Sequence, residues 1–280
     1  MNALPIQGDR RMILENENGL LLKRIDHLGE RAWRSDPCYK MIFSPFGRGE
    51  YQTPHGDITI DKHAFFIFNP MDAHKQLLAT REKFLIEVQP SLLQAASEQL
   101  GIGEREPEFS LISYRHPLIW KWMAFVRDFL SINEDSGPST NQFFLDNSLT
   151  QLSIMMLQYG TGSHQEEFPS FKSQVNITMV IDALKESSSE DWTLDDMAAV
   201  ARLNKYQFAH LFKEEVGLSP YSWLQLYRLF RSQHDLLHTR NSILTIALQH
   251  GFNSVASYNR LFKKVYRKTP SEFRHIHGSK

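Results

Sequence analysis

One cysteine, Cys38, in 280 residues leaves no partner for a disulfide within the chain. No run of 18 consecutive apolar residues occurs, which argues against a membrane span. The opening stretch Met-Asn-Ala-Leu-Pro-Ile-Gln-Gly-Asp-Arg-Arg has no apolar core of a secretion signal. These absences predict a cytoplasmic protein with no membrane partner. The N-terminal half has no His-x-His pair followed by Glu at metal-binding spacing, and no Ser/His/Asp or Cys/His set stands out. No catalytic residue, metal ligand or cofactor is therefore assigned, and the chain is not read as an enzyme. Cys38 itself reads as a small buried hydrophobe.

Overall charge is close to balanced, at −1, which taken alone speaks against a nucleic-acid binder. Its distribution speaks the other way. Residues 170–280 carry 15 Lys and Arg against 10 Asp and Glu, while the rest carry 16 against 22. That split fits a basic module joined to an acidic one. A hydrophobic share of 41% makes both halves candidates for packed globular domains.

Along residues 1–90, short apolar runs recur at 20–25, 39–43, 58–60, 64–68 and 84–88. Gly, Pro and Asn clusters at 44–49, 54–57 and 69–72 separate them, a pattern that predicts a β-barrel or sandwich. After Pro90 the period changes to helical, with candidates at 91–100, 117–132 and 141–159. Residues 161–172 read as a linker between a domain at 1–160 and another at 173–280. The second domain reads as all-α, with seven helices at about 173–187, 194–201, 205–216, 220–239, 243–250, 255–265 and 271–276. Thr193, Asn204, Ser219, Ser242, Ser254 and Thr269 stand where N-caps belong, and Pro220 and Pro270 suit first turns.

One pattern occurs twice in this region. Asn204 to Lys213 and Ser254 to Lys263 each begin with a capping residue, place an aromatic four positions on, and end in Leu-Phe-Lys. Each copy follows a short apolar helix and a tight turn, so the pair predicts two helix-turn-helix units in tandem. Ala198 and Ala247 are small enough for the helix crossings, and Gly251 suits a turn with positive φ. Phe208, Leu211 and Phe212, repeated as Tyr258, Leu261 and Phe262, are core candidates. Lys205, Tyr206, Ala209 and His210 in the first unit, and Val255, Ala256, Asn259 and Arg260 in the second, are placed to reach base edges. Arg260 matches guanine and Asn259 adenine. Lys213, Lys263 and Lys264 lie further along and suit phosphates. A connecting helix of 20 residues from Pro220 to Thr239 would span about 30 Å, close to the ~34 Å repeat of the major groove.

These residues resemble a known family. Residues 172–277 are similar to the DNA-binding domain of the AraC/XylS transcription regulators. The resemblance is carried by Ile246-Ala-Leu-Gln-His-Gly-Phe252, Arg260-Leu-Phe-Lys-Lys264 and Thr269-Pro-Ser-Glu-Phe-Arg274. Gly217-Leu-Ser-Pro220, Arg228-Leu229 and Leu236-Leu237 support it on the connecting helix. Three positions depart from the family pattern. His210 stands where the first unit usually has Arg, which removes the guanidinium fork that reads guanine. Arg202 and Arg267 stand where turn glycines are usual.

Residues 20–90 resemble the cupin-type jelly-roll sensor of the same family through Gly47-Arg-Gly-Glu-Tyr51, Gly56-Asp57 and Phe66 to His74. The resemblance implies an α+β two-domain protein: a cupin-like β-barrel with following helices, then the double helix-turn-helix domain. It further implies an activator that binds double-stranded DNA, works with RNA polymerase, responds to a small-molecule effector, and dimerises through the helices at 117–159. Trp33, Arg34, Tyr39, Tyr51, His55 and His74 are the candidates for the effector site, with Trp33 and Tyr39 able to stack on a flat ligand. Two alternatives stand beside this. One is a metal-dependent cupin enzyme fused to a DNA-binding domain, drawing ligands from His27, His55, His63, His74 and His116. The other is a regulator whose barrel binds a protein partner.

Overall fold

The computed structural model describes residues 10–25, 31–78, 82–102, 106–132, 137–164 and 174–278. The predicted linker lies mostly outside the described residues, as does His27. The chain divides into two compact units. One holds residues 1–106 and 117–158, and the other holds 107–116 and 159–280.

The first unit contains eight strands: β1 (Arg10–Asn16), β2 (Gly19–Ile25), β3 (Tyr39–Phe43), β4 (Gly49–Thr53), β5 (Gly56–Ile60), β6 (Phe65–Phe68), β7 (Lys75–Leu78) and β8 (Glu82–Val88). The expected closed barrel is not formed. The strands make a five-stranded sheet, β1-β2-β8-β3-β6, and a separate three-stranded sheet, β5-β4-β7. Closure needs a continuous hydrogen-bond register around the ring. Here the register of β4 on β7 is broken between Glu50 and Tyr51, and no strand pairing joins the two sheets among the described residues. Side chains bridge them instead: the Tyr51 ring meets Phe66 at 5.3 Å and Phe68 at 6.1 Å, edge-on.

Three helices follow: α1 (Pro90–Leu100), α2 (Pro117–Ile132) and α3 (Pro138–Tyr159). α2 buries Ile119, Met123, Val126 and Leu130, and α3 buries Leu145, Leu149, Leu152 and Met156, at helical spacing. Both cover one face of the larger sheet. The Asn16 amide donates to Asp146 at 2.5 Å, Lys23 donates to Ser131, and a Cβ on Gly19 would lie 3.3 Å from Leu149.

The second unit contains α4 (Val175–Glu186), α5 (Leu194–Val200), α6 (Lys205–Val216), α7 (Pro220–His238), α8 (Ile243–Gln249), α9 (Val255–Tyr266) and α10 (Pro270–His277). Capping chemistry sets the starts. Thr193 and Thr269 form capping boxes with Asp196 and Glu272, and Asn204, Ser219, Ser242 and Ser254 each accept from a first-turn N–H. α7 is the spine. Towards the first unit of the repeat it stacks Trp223 on Tyr227 and sets Trp223 against Phe212. Towards the second it presents a buried polar face of Arg228, Ser232 and Gln233. Ser232 shares a hydrogen bond with the Tyr258 hydroxyl at 2.9 Å, and Gln233 donates to Tyr266. Arg228 donates to three backbone carbonyls: Ser188 at 2.5 Å, Glu190 at 2.6 Å and Gly251 at 2.8 Å.

A segment from far upstream completes this unit. Residues 107–116 run alongside 159–164, with Ser110 N–H donating to Thr161 at 2.8 Å and Ser163 N–H to Glu108 at 2.8 Å. The Leu111 N–H donates to Val265 at 2.9 Å, near the end of α9. Arg115 donates to the Glu214 carbonyl at 3.1 Å, near the end of α6. Glu108 accepts from Lys268 and lies 3.2 Å from His277. Burial alone would raise the Glu108 carboxyl, but the hydrogen bonds from His277 and Lys268 outweigh it and hold its pKa below the ordinary glutamate value.

Replacing Arg228 with Met leaves buried carbonyls without donors, so stability of the second unit should fall by about 2–4 kcal/mol, read by urea unfolding. Arg228→Lys should recover little of it, because an ammonium cannot fork to three acceptors. For Glu108, a depressed folded pKa means a contribution present above the ordinary carboxylate range and lost as pH falls below it. The stability gap between wild type and Glu108→Gln should therefore be largest near pH 6 and close by about pH 3. A gap that stays constant over that range would remove the ion-pair explanation.

Candidate DNA interface and effector cavity

Each half of the repeat is a helix pair joined by a turn: α5 to α6, and α8 to α9. Their cores repeat. Phe208 and Phe212 are fully buried, as are Tyr258 and Phe262. The edge-on contacts match too, with ring centroids 5.6 Å apart for Phe208–Phe212 and for Tyr258–Phe262. Burying that stripe turns the opposite stripe outward. On α6 the exposed residues are Tyr206, Gln207, His210, Lys213 and Glu214; on α9 they are Ala256, Arg260, Lys263 and Lys264. Lys205, Ala209, Val255 and Asn259 sit at the borders of these faces, half-buried. Gln207 was not among the sequence candidates, although it lies one position from Tyr206 on the same stripe.

The two faces differ in charge. α9 carries Arg260, Lys263 and Lys264 with no carboxylate, whereas α6 sets Lys205 and Lys213 against Glu214 and Glu215. Lys205 is partly engaged: its ammonium is 3.4 Å from Asp195 and 6.0 Å from the Tyr206 ring. Tyr206 is 79% exposed, the most open aromatic among the described residues of the unit, so nothing in the core explains its placement. The side-chain oxygen of Asn259 is buried without a hydrogen-bond partner, unlike the open Arg260 beside it.

The profile of a family described as "Helix-turn-helix domain" matches residues 197–276. The Transposon Tn10 TetD protein of Escherichia coli is 34% identical over 104 residues, covering 36% of this chain and 75% of that one. The HTH-type transcriptional regulator MtrA of Neisseria gonorrhoeae is 32% identical over 101 residues, 36% of this chain and 34% of that one. The chain belongs to the AraC/XylS family. It spans about a third of the length of MtrA and of a Haemophilus influenzae regulator that it also matches. Among solved structures, an AraC-type regulator from Chromobacterium violaceum aligns at 27% identity with a TM-score of 0.35, covering 37% of this chain and 93% of that one. ToxT from Vibrio cholerae aligns at 14% identity with a TM-score of 0.35, covering 92% and 98%.

Within the family pattern, the turn positions show why two glycines are replaced and two are kept. Arg202 has φ 55° and Gly251 has φ 75°, and these are equivalent positions in the two units. A Cβ on Gly251 would lie 2.7 Å from the Ser189 carbonyl oxygen, so a side chain is excluded there. Arg202 is exposed and has room. The helix C-caps repeat the logic in reverse. Gly217 has φ 83°, and its Cβ would lie 2.8 Å from the Arg115 nitrogen. Arg267 has φ 60° and sends its guanidinium to the Phe109 carbonyl at 3.3 Å. A left-handed non-glycine residue costs roughly 1–2 kcal/mol, which each Arg carries for want of a close neighbour.

The first unit contains a cavity of about 480 Å³ between its two sheets. Four of the sequence candidates line it: Trp33, Arg34, Tyr51 and His74. Two do not. Tyr39 is buried in β3, and His55 is exposed in the β4–β5 turn. Strand alternation adds residues that the sequence did not single out. Leu20, Leu22 and Arg24 of β2, and Lys83, Leu85 and Glu87 of β8, share the cavity face. His74 stacks on Phe68 at 4.1 Å, and its Nδ1 faces the Asp72 carbonyl at 2.8 Å. Burial pushes its pKa down to about 4, which keeps it neutral. No group of three His, Cys, Asp or Glu suited to a metal occurs among the described residues, nor is any helix there long and apolar enough to cross a membrane.

Arg260→Ala should weaken binding to the preferred duplex by about 1–3 kcal/mol and relax selectivity at one or two base pairs. Lys263→Ala should weaken all duplexes alike and flatten the salt dependence by about one unit of slope. Equal losses on all sequences for Arg260→Ala would make it a phosphate contact. Competition binding at several salt concentrations reads both.

Proposed function

We propose that this protein is a sequence-specific DNA-binding transcription regulator, without enzymatic activity. Its two helix-turn-helix units enter neighbouring turns of the major groove, and its N-terminal unit senses a small molecule. The observation that carries this reading is the pair of outward stripes on α6 and α9, held on one connecting helix. α7 has 19 residues, about 28 Å at 1.5 Å per residue, which suits a groove repeat of about 34 Å. Charge divides the labour. The α9 stripe has a bidentate donor flanked by two lysines and specifies bases. The α6 stripe, near neutral and bearing His210, positions the protein on the backbone. The named roles of the relatives support regulation of transcription. Activation, with RNA polymerase as partner, and the cupin-like character of the sensor rest on the family resemblance.

The protein acts as a homodimer through α2 and α3. Leu118, Phe125 and Ile132 on α2 are 50%, 59% and 82% exposed and recur every seven residues. That stripe is the seam of a helix-to-helix contact, on the opposite side from the residues that cover the sheet. Phe143 at the start of α3 is 74% exposed.

Selection of duplexes from a random pool by the full-length protein tests the main reading. The expected product is a site spanning two successive major-groove turns, with its fixed bases concentrated in one of them. Failure to enrich any sequence, with or without small-molecule additives, would remove it. Phe125→Glu should convert a dimer to a monomer in sedimentation and lower affinity for a two-site operator while sparing a single site. A wild-type protein that sediments as a monomer at micromolar concentration would defeat the dimer assignment.

A further inference from the structure

The cavity of the first unit has an apolar floor and a cationic wall. Leu20, Leu22, Ile42 and Leu85 form the floor from three adjacent strands. Arg24, Arg31, Arg34 and Lys83 line the same space, where Glu87 is the one carboxylate among the described lining residues, and Asp36 lies 3.1 Å from Arg34. That carboxylate is already engaged, 3.1 Å from Lys40 and 3.5 Å from Arg34. In the β2–β8 register, Arg24 stands directly opposite Lys83. Like charges directly opposite on neighbouring strands destabilise a sheet, and here they share the cavity face.

The Lys83 ammonium donates to the neutral amide oxygen of Gln76 at 3.0 Å. Burial, followed by the neighbouring Arg34, Lys40, Arg31 and Arg24, pushes its pKa down to about 7. The ammonium also lies 5.9 Å from the Tyr51 ring centroid, and no carboxylate pairs with it among the described residues.

We propose that this cavity binds a small organic anion with an apolar body, its anionic group held by Lys83 and Arg34 and its body on Leu20, Leu22, Ile42 and Leu85. This rests on the reading of the first unit as a sensor and adds the chemistry of what it senses. The volume, about 480 Å³, lies within the range of small-molecule sites, about 300–1,000 Å³. Trp33, 49% exposed at the rim, offers a ring face to the body of the ligand. The Tyr51 hydroxyl donates to Gln76 at 3.4 Å and so helps to fix that amide beside Lys83.

Binding should also be linked to protons. The groups facing Lys83 are Arg24 on β2, Arg31 and Arg34 on the preceding segment, Lys40 on β3, Tyr51 on β4, neutral His74, and Glu87 on its own strand. An anion among these restores the charged form of Lys83, so affinity should fall as pH rises through about 7.

The test is calorimetric titration of the full-length protein with two matched pairs: 2-naphthoate with 2-naphthamide, and octanoate with octanamide. One pair has a flat body and the other a flexible one. In at least one pair the carboxylate should bind tenfold or more tighter than the amide, with affinity falling between pH 6 and pH 9. Lys83→Met should cut that preference about tenfold and abolish the pH dependence. Arg34→Gln should cut the preference as well, and melting curves establish that both variants are folded. If an amide binds as tightly as its carboxylate, or if Lys83→Met keeps the preference, the anion assignment is wrong while the sensor reading stands. If none of the four compounds binds below about 10 mM, the sensor reading falls with it.

Discussion

The DNA-facing half depends on one buried guanidinium. Arg228 sits mid-way along α7 and donates to the carbonyls of Ser188, Glu190 and Gly251. These belong to two turns, one after α4 and one between α8 and α9. Buried carbonyls must find donors, and a rigid planar fork reaches three separated ones at once, whereas a lysine has its three donors on a single nitrogen. The approach is so close that Gly251 has no space for a Cβ, with the Arg228 guanidinium carbon 3.0 Å from where it would lie. The direction of α9, and with it the stripe bearing Arg260, follows from where this fork anchors the preceding turn.

Around that anchor the two helix-turn-helix units have kept one core and diverged at the surface. Tyr258 and Tyr266 carry hydroxyls that reach Ser232 and Gln233 on α7, whereas the first unit packs Phe208 and Phe212 by shape alone. The left-handed positions show the same freedom. Glycine stands where backbone crowds it, at Gly217 and Gly251, and Arg202 and Arg267 adopt the same left-handed conformation with a side chain. The same contrast of constraint and latitude extends to charge. α9 accumulates cations on its exposed stripe, and α6 balances its own with Glu214 and Glu215. An operator read by this protein is expected to be asymmetric in information even though the motif is repeated.

The first unit places its conflict elsewhere. Its larger sheet supplies the apolar floor of the cavity, and on the same face cations stand opposed in register, Arg24 to Lys83. Proteins place such local conflicts where a ligand resolves them. The neutral His74, buried against Phe68, leaves lysine, arginine and the engaged Glu87 as the charged groups of the wall. That distinguishes this cavity from a metal site, where neutral imidazoles converge on one point.

The repeat, its six N-caps and the helical boundaries of the C-terminal region were legible in the sequence because they are local. A cap needs only the next three residues, and a stripe only the next seven. Strands with continuous apolar runs, such as Tyr39–Phe43, were legible for the same reason. β1, β4 and β7 were not, because Arg10–Asn16, Gly49–Thr53 and Lys75–Leu78 mix polar and apolar residues and become strands only by pairing with distant partners. The cavity of the first unit was half legible. Trp33, Arg34, Tyr51 and His74 stood out by type, while Lys83 and Arg24 looked like ordinary surface charges until the β2–β8 register set them face to face. The segment 107–116 carried no signal at all, since its long-range hydrogen bonds reach partners 45 to 169 residues away. Sequence by itself determined which residues form the recognition helices. Only tertiary structure decided what holds them and what lines the cavity, because register and long-range hydrogen bonds are properties of pairs that no local pattern encodes.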